Sequence, residues 1–309
     1  MKHCTPTRLT MYALLFALAG CGKPDAPTPT PTPAAPAKQA PVAKADGLPE
    51  LDCPGKADAA LGGPDIVGLK LGMARLAALN LARCLNRETV VTFEANWLNG
   101  LQTYGIKLAP QAFSTRAGET SECQYRNFSE MQKCGAGNRV WNHLAEEVTV
   151  ASPGVPGQEK VAAIWRTQNF KAGAMPAAET MLQALVQKYG APQVRRGQQD
   201  QWIQLYWLQD PAGTPLAEGS RGAQSCLGIN AQAHQTQQWR EDCGLTISAQ
   251  INLARENPLL VKEMAIGMAN QQQLYTLGTR LQHELQELEG RRRMKELDQA
   301  KSSGAAVKL

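Results

Sequence analysis

Leu245-Thr246-Ile247-Ser248-Ala249-Gln250-Ile251-Asn252-Leu253 alternates apolar and polar residues along its whole length. Successive side chains of a β-strand point to opposite faces, so a period of two predicts a half-buried strand with one wet face. Glu256-Asn257-Pro258 turns the chain back into Leu259–Met268, a second apolar run. Upstream, Trp202-Ile203-Gln204-Leu205-Tyr206-Trp207-Leu208 is apolar on both faces and reads as a central strand. Glu147–Ala151 and Lys160–Arg166 also alternate, around a Pro153–Gly157 turn that holds the breakers Pro156 and Gly157. Strands joined by such short turns belong to an antiparallel sheet.

Helical signals fall between the strands. Leu69-Lys70-Leu71-Gly72-Met73 is expected to open a helix to about Asn86, with Leu76, Leu79, Leu81 and Leu85 as its apolar positions. Val90, Val91 and Phe93 follow as a strand ending near Trp97, and residues 99–142 give no firm assignment. Pro176 opens a second helix at the position proline favours, and Gly190-Ala191-Pro192 closes it. Met181, Leu182, Leu185, Val186 and Tyr189 form its apolar stripe. A last helix runs from about Asn270 to Asp298, with Leu274, Leu277, Leu281, Leu285 and Leu288 at steps of three and four.

The order repeats. Gly68-Leu-Lys-Leu-Gly-Met precedes a helix and a strand, and Asn169-Phe-Lys-Ala-Gly-Ala-Met precedes the same elements. The expected fold is α+β: a mainly antiparallel sheet in two tandem helix-plus-sheet modules, with a long C-terminal helix. The boundaries read as a first module over 47–150, a second over 151–268, the helix over 269–298 and a disordered tail over 299–309.

The N-terminus carries a different signal. Lys2 and Arg8 precede the apolar Leu9–Leu18, and Leu18-Ala19-Gly20-Cys21 ends that run. An apolar run of about ten residues fits a signal peptide and is too short to span a bilayer, which takes about 20. The stretch resembles the lipobox of bacterial lipoproteins. That resemblance implies cleavage after residue 20 and acylation of Cys21, with palmitate-type chains holding the protein in a membrane. Lys23, with no Asp next to the cysteine, points by the same resemblance to the outer membrane, facing the periplasm or the cell surface. Residues 22–46 are rich in Pro, Ala and Thr and read as an extended linker. At roughly 3.1 Å per residue, about 25 residues reach up to ~75 Å. The Leu71-Gly72-Met73 opening also resembles the small two-helix, three-strand lipoproteins of the outer-membrane barrel-assembly machinery.

Composition fits an exported chain. Without Lys2, Arg8 and segment 291–309, which has six basic and two acidic residues, the formal charge of +5 falls to −1. The body is near neutral and carries no nucleic-acid footprint. Setting Cys4 and Cys21 aside leaves Cys53, Cys84, Cys123, Cys134, Cys226 and Cys243, an even set expected to form disulfides. Pairing in sequence order gives Cys53–Cys84, Cys123–Cys134 and Cys226–Cys243. No metal-binding spacing occurs, and His3, His143, His234 and His283 are scattered, so no metal or cofactor is expected.

No familiar catalytic motif is present. His143 with Glu147, which would share a face if helical, and His234 are the candidates should there be an enzyme acting on cell-wall or exported substrates. His234, Trp239 and Arg240 lie between Cys226 and Cys243, in a stapled loop that could serve as a recognition surface or plug the cleft of an exported hydrolase. The reading favoured by these features is a non-catalytic envelope lipoprotein whose partner is an envelope protein or peptidoglycan.

Overall fold

Trp202–Leu208 and Leu245–Ala254 lie side by side in one eight-stranded, wholly antiparallel sheet. The computed structural model describes Cys53 and residues 61–85, 91–94, 102–106, 108, 110–124, 139–155 and 157–303. All of them belong to one unit, Ala45–Leu309. In chain order the elements are α1 (Arg75–Leu85), β1 (Val91–Glu94), β2 (Ala112–Glu122), β3 (Arg139–Ala151) and β4 (Ala163–Asn169). Then come α2 (Ala178–Tyr189), β5 (Val194–Gln198), β6 (Trp202–Leu208), α3 (Arg221–Ser225), β7 (Leu245–Ala254), β8 (Asn257–Asn270) and α4 (Gln271–Ser302).

The sheet order is β1-β2-β3-β4-β8-β7-β6-β5. Each half is therefore a helix followed by a four-stranded meander, and the two last strands, β4 and β8, join the halves at the centre. This is the tandem arrangement expected from the repeat. The second half has one helix before four strands, where the barrel-assembly resemblance implied two helices and three strands. The seam falls between Asn169 and Ala178 rather than at residue 150, because β4 pairs with β3 and completes the first meander.

One face of the sheet carries the main core. Phe113, Val148, Ile164, Leu205, Ile247 and Ile266 are buried there against Ala78, Leu79 and Ala82 of α1 and Leu185 of α2. The helix expected from Leu69 begins only at Arg75. Ile66 and Leu69 exchange backbone hydrogen bonds of 3.0 and 2.9 Å, and Gly72 N–H donates to Val161 O at 2.8 Å. Leu69 and Met73 thus reach the core from a pinned turn. Helix α2 ends as expected at Gly190, whose φ of 84° lies in the left-handed region that glycine tolerates.

The opposite face is covered over part of its area. Loop 209–244, stapled by the Cys226–Cys243 disulfide, and the first half of α4 lie over it. For that reason Thr246 and Ser248, on the face expected to be wet, are fully buried. Gln271 donates to Cys226 O at 2.7 Å and to Thr246 Oγ1 at 2.9 Å, tying the start of α4 to the loop and to β7. Asn270 caps α4 by accepting from the Gln273 N–H at 3.0 Å. Leu274, Leu281 and Leu285 of the expected stripe are buried. The helix runs on to Ser302, so residues 299–302 are helical where a tail was expected.

Two strands went unforeseen. β2 lies in the unassigned stretch and buries only its first residues, so its sequence AFSTRAGETSE shows little periodicity. β5 is an edge strand, VRRGQ, with only Val194 buried; its two arginines suit an edge that must not pair with other chains.

Candidate functional site

The cysteines come together as sequence order suggested. Cys53 bonds Cys84, and Cys226 bonds Cys243, with Cα–Cα distances of 5.6 and 5.5 Å. Cys123 is also disulfide-bonded, and its expected partner Cys134 lies outside the described residues. Cys21, the signal segment and the linker lie outside them too.

The two histidine candidates are far less convergent. His143 and Glu147 stand on strand β3 rather than on a helix, on either side of a bulge opposite Ala117 and Gly118. Glu147 is occupied: it accepts from Arg116 Nε at 2.7 Å. Its neighbour Glu146 points to the other face, where Arg166 binds it. His143 sits opposite Glu119, whose carboxylate is held below its ordinary range first by a hydrogen bond from Lys171 and then by nearby charge. The geometry brings no nucleophile and base into hydrogen-bonding reach at these residues.

In the stapled loop, His234 and Arg240 are exposed, and Arg240 forms an ion pair with Asp242 at 2.8 Å. Trp239 turns inward and packs beside Leu274, Leu281 and Val155. Its ring holds the loop and α4 to the body, which leaves the charged residues as the outward part of this candidate surface. Among the described residues, no cluster of three or more His, Cys, Asp or Glu is placed to hold a metal ion. No described helix is long and apolar enough to cross a membrane.

The last part of α4, from Gly290 to Ser302, is exposed at every residue. Its basic run is mostly engaged within the helix: Arg292 and Arg293 both donate to Glu289 at 2.7 Å. Those two hydrogen bonds hold the Glu289 carboxyl down to about 2. Met294 and Leu297 stand out on this stretch, 57% and 46% exposed.

The richest grouping of polar side chains lies on the uncovered part of the sheet. Cross-strand register places Arg116, Glu147, Thr167, Ala265, Gln250 and Gln204 in one row across six strands. Arg196 of β5 extends it by one. The next row on the same face holds Asn169, Glu263, Asn252 and Trp202. Apart from buried Ala265 and exposed Arg196, these side chains are half-buried. With strands about 4.8 Å apart, six of them span about 24 Å.

Part of this floor is fixed by its own hydrogen bonds. Gln250 Nε2 donates to Asn252 Oδ1 at 3.0 Å, and Asn252 Nδ2 donates to Glu263 Oε1 at 2.8 Å. Gln232 of the stapled loop donates to the same Glu263 oxygen at 2.7 Å. Asn169 Nδ2 donates to Leu144 O at 2.8 Å. The loop thereby forms a rim to the row and orients the carboxylate at its centre. Sequence reading marked Gln250 and Asn252 as wet positions but could not align them with Thr167, Glu147 or Arg116, because that alignment depends on pairing between distant strands.

Compared with known proteins, the chain matches no family model, no curated protein and no solved structure.

Proposed function

We propose that this protein is a cell-envelope lipoprotein, held in the outer membrane by acyl chains on Cys21, that works by binding an envelope component rather than by catalysis. The observation that carries the reading is the run Leu18-Ala19-Gly20-Cys21 at the end of a short apolar segment, with a Pro-rich spacer after it. Disulfides at Cys53–Cys84 and Cys226–Cys243 support it, since such bonds persist in exported proteins and are rare in the reducing cytosol. Each buried CH2 contributes roughly 0.8 kcal/mol, so several acyl chains on one residue make a durable anchor. The long spacer would let the folded part sample a partner well away from the bilayer.

The test is fractionation of cells that express the wild type and Cys21→Ala. The wild type should partition with outer membranes and label with a palmitate analogue. The variant should lose both properties. A Cys21→Ala protein that stays membrane-bound, or a wild type recovered unprocessed from the cytosol, overturns the proposal.

A further inference from the structure

We infer that the polar rows on the open sheet face are a binding surface for a neutral glycan strand, a saccharide chain rich in hydroxyl and amide groups. The inference rests on the reading of the protein as a lipoprotein that binds an envelope component, and it names the surface and the ligand class that reading leaves open.

Three observations carry it. The first is charge. The rows hold Arg116, Arg196, Glu147 and Glu263, two of each sign, and Arg116 with Glu147 is already an ion pair. A balanced face offers little to nucleic acid or to an anionic membrane, which need a net positive field. The second is donor and acceptor type. Gln204, Gln250, Asn252 and Asn169 are amides, each with both a carbonyl acceptor and NH2 donors. Sugar hydroxyls also donate and accept, so amides satisfy them in either sense.

The third is shape and preorganisation. The row crosses six neighbouring strands and is about 24 Å long, several linked sugar rings in extent. Gln250, Asn252, Glu263 and Gln232 are already joined by hydrogen bonds of 2.7–3.0 Å, so little side-chain entropy remains to be lost on binding. Half-buried Trp202 sits beside Asn252 at one end of the second row, with an indole suited to stacking on the apolar face of a pyranose. A protein partner would be expected to seek a desolvated apolar anchor, and these rows supply a single aromatic.

The experiment uses the full acylated chain, purified in detergent. It is titrated with N-acetylglucosamine oligomers and co-sedimented with peptide-free glycan strands from cell walls. Wild type should bind the strands saturably. Asn252→Ala and Trp202→Ala should each weaken binding roughly tenfold, with each variant still folded at the assay temperature by thermal unfolding. Gln204→Ala, at the β6 end of the six-strand row, provides a second variant should Asn252→Ala disturb the fold. Absence of binding by the wild type overturns the inference. So does undiminished binding by folded variants, or crosslinks from this face to a protein. Because this assay reads the isolated protein, its failure leaves the Cys21 fractionation result untouched, and the reverse also holds.

Discussion

Gly267→Ala tests how the stapled loop is seated on the sheet. Gly267 lies on β8 opposite Trp165 of β4. A Cβ there would stand 2.6 Å from Asn230 O, 2.7 Å from Trp165 Cδ1 and 2.9 Å from Trp165 Nε1. One methyl group therefore meets both partners of the Trp165 Nε1–Asn230 O hydrogen bond, which is 3.1 Å long. Trp165 is 1% exposed and cannot swing out to make room. Forcing an extra methyl into a packed core costs about 1–3 kcal/mol, and leaving a buried donor unsatisfied costs about 1–3 kcal/mol. The expected loss is about 2–6 kcal/mol. Denaturant titration followed by far-UV circular dichroism should show a lower midpoint with an unchanged slope. Placing Gly267→Ala in a Trp165→Phe background should cost less than in the wild type, because the smaller ring leaves room and has no N–H to strand. A loss under about 0.5 kcal/mol, the range of an ordinary surface change, would refute the reasoning. Equal costs in both backgrounds would refute the role given to the indole.

Three further outcomes follow from the same packing. Replacing Cys226 and Cys243 together with Ser should lower stability by about 3 kcal/mol, from the closure entropy of a 17-residue separation, in thermal unfolding without reductant. Ending the chain at Arg293 should leave the melting temperature almost unchanged, since residues 294–303 are exposed; a drop of several degrees would mean that the removed segment packs on the body. Asp65 binds Lys188 of α2 at 3.0 Å and accepts from the Gly68 N–H at 2.7 Å. Burial raises its pKa, but these two partners outweigh burial and hold the carboxyl below its ordinary value. Its contribution is thus present above the unfolded pKa of about 3.9 and lost as pH falls through the folded value. Asp65→Asn should flatten the acid limb of the stability profile and leave neutral pH as the region of greatest difference from wild type.

The sequence disclosed those parts of the fold whose pattern is local. Trp202–Leu208 and Leu245–Leu253 declare their period within a few residues, and both are strands in full. The leucine steps of α4 and the Gly190 stop of α2 are equally local, whereas Pro176 stands one residue before the Ala177 cap rather than in the first turn, its carbonyl accepting from the Val261 N–H. β2 and β5 escaped because strands at or near a sheet edge bury few side chains and so carry a weak pattern. Leu69–Met73 misled because apolar residues can enter a core from a turn as readily as from a helix. Thr246 and Ser248 misled because the polar side of a strand stays wet only where no loop crosses it. The candidate site was the least legible part. Its residues come from seven strands, and no local window shows that Arg116 and Gln204 share one line.

The meeting of β4 and β8 has a consequence for any half-molecule. A fragment that ends near Asn169 would bare the β4 edge that β8 normally covers, and one that starts near Ala178 would bare β8. Unpaired backbone donors and acceptors along such an edge recruit another strand. The two pieces, supplied as separate chains, should therefore reassemble across that joint. Each piece alone would be left to zip against its own duplicate or to aggregate.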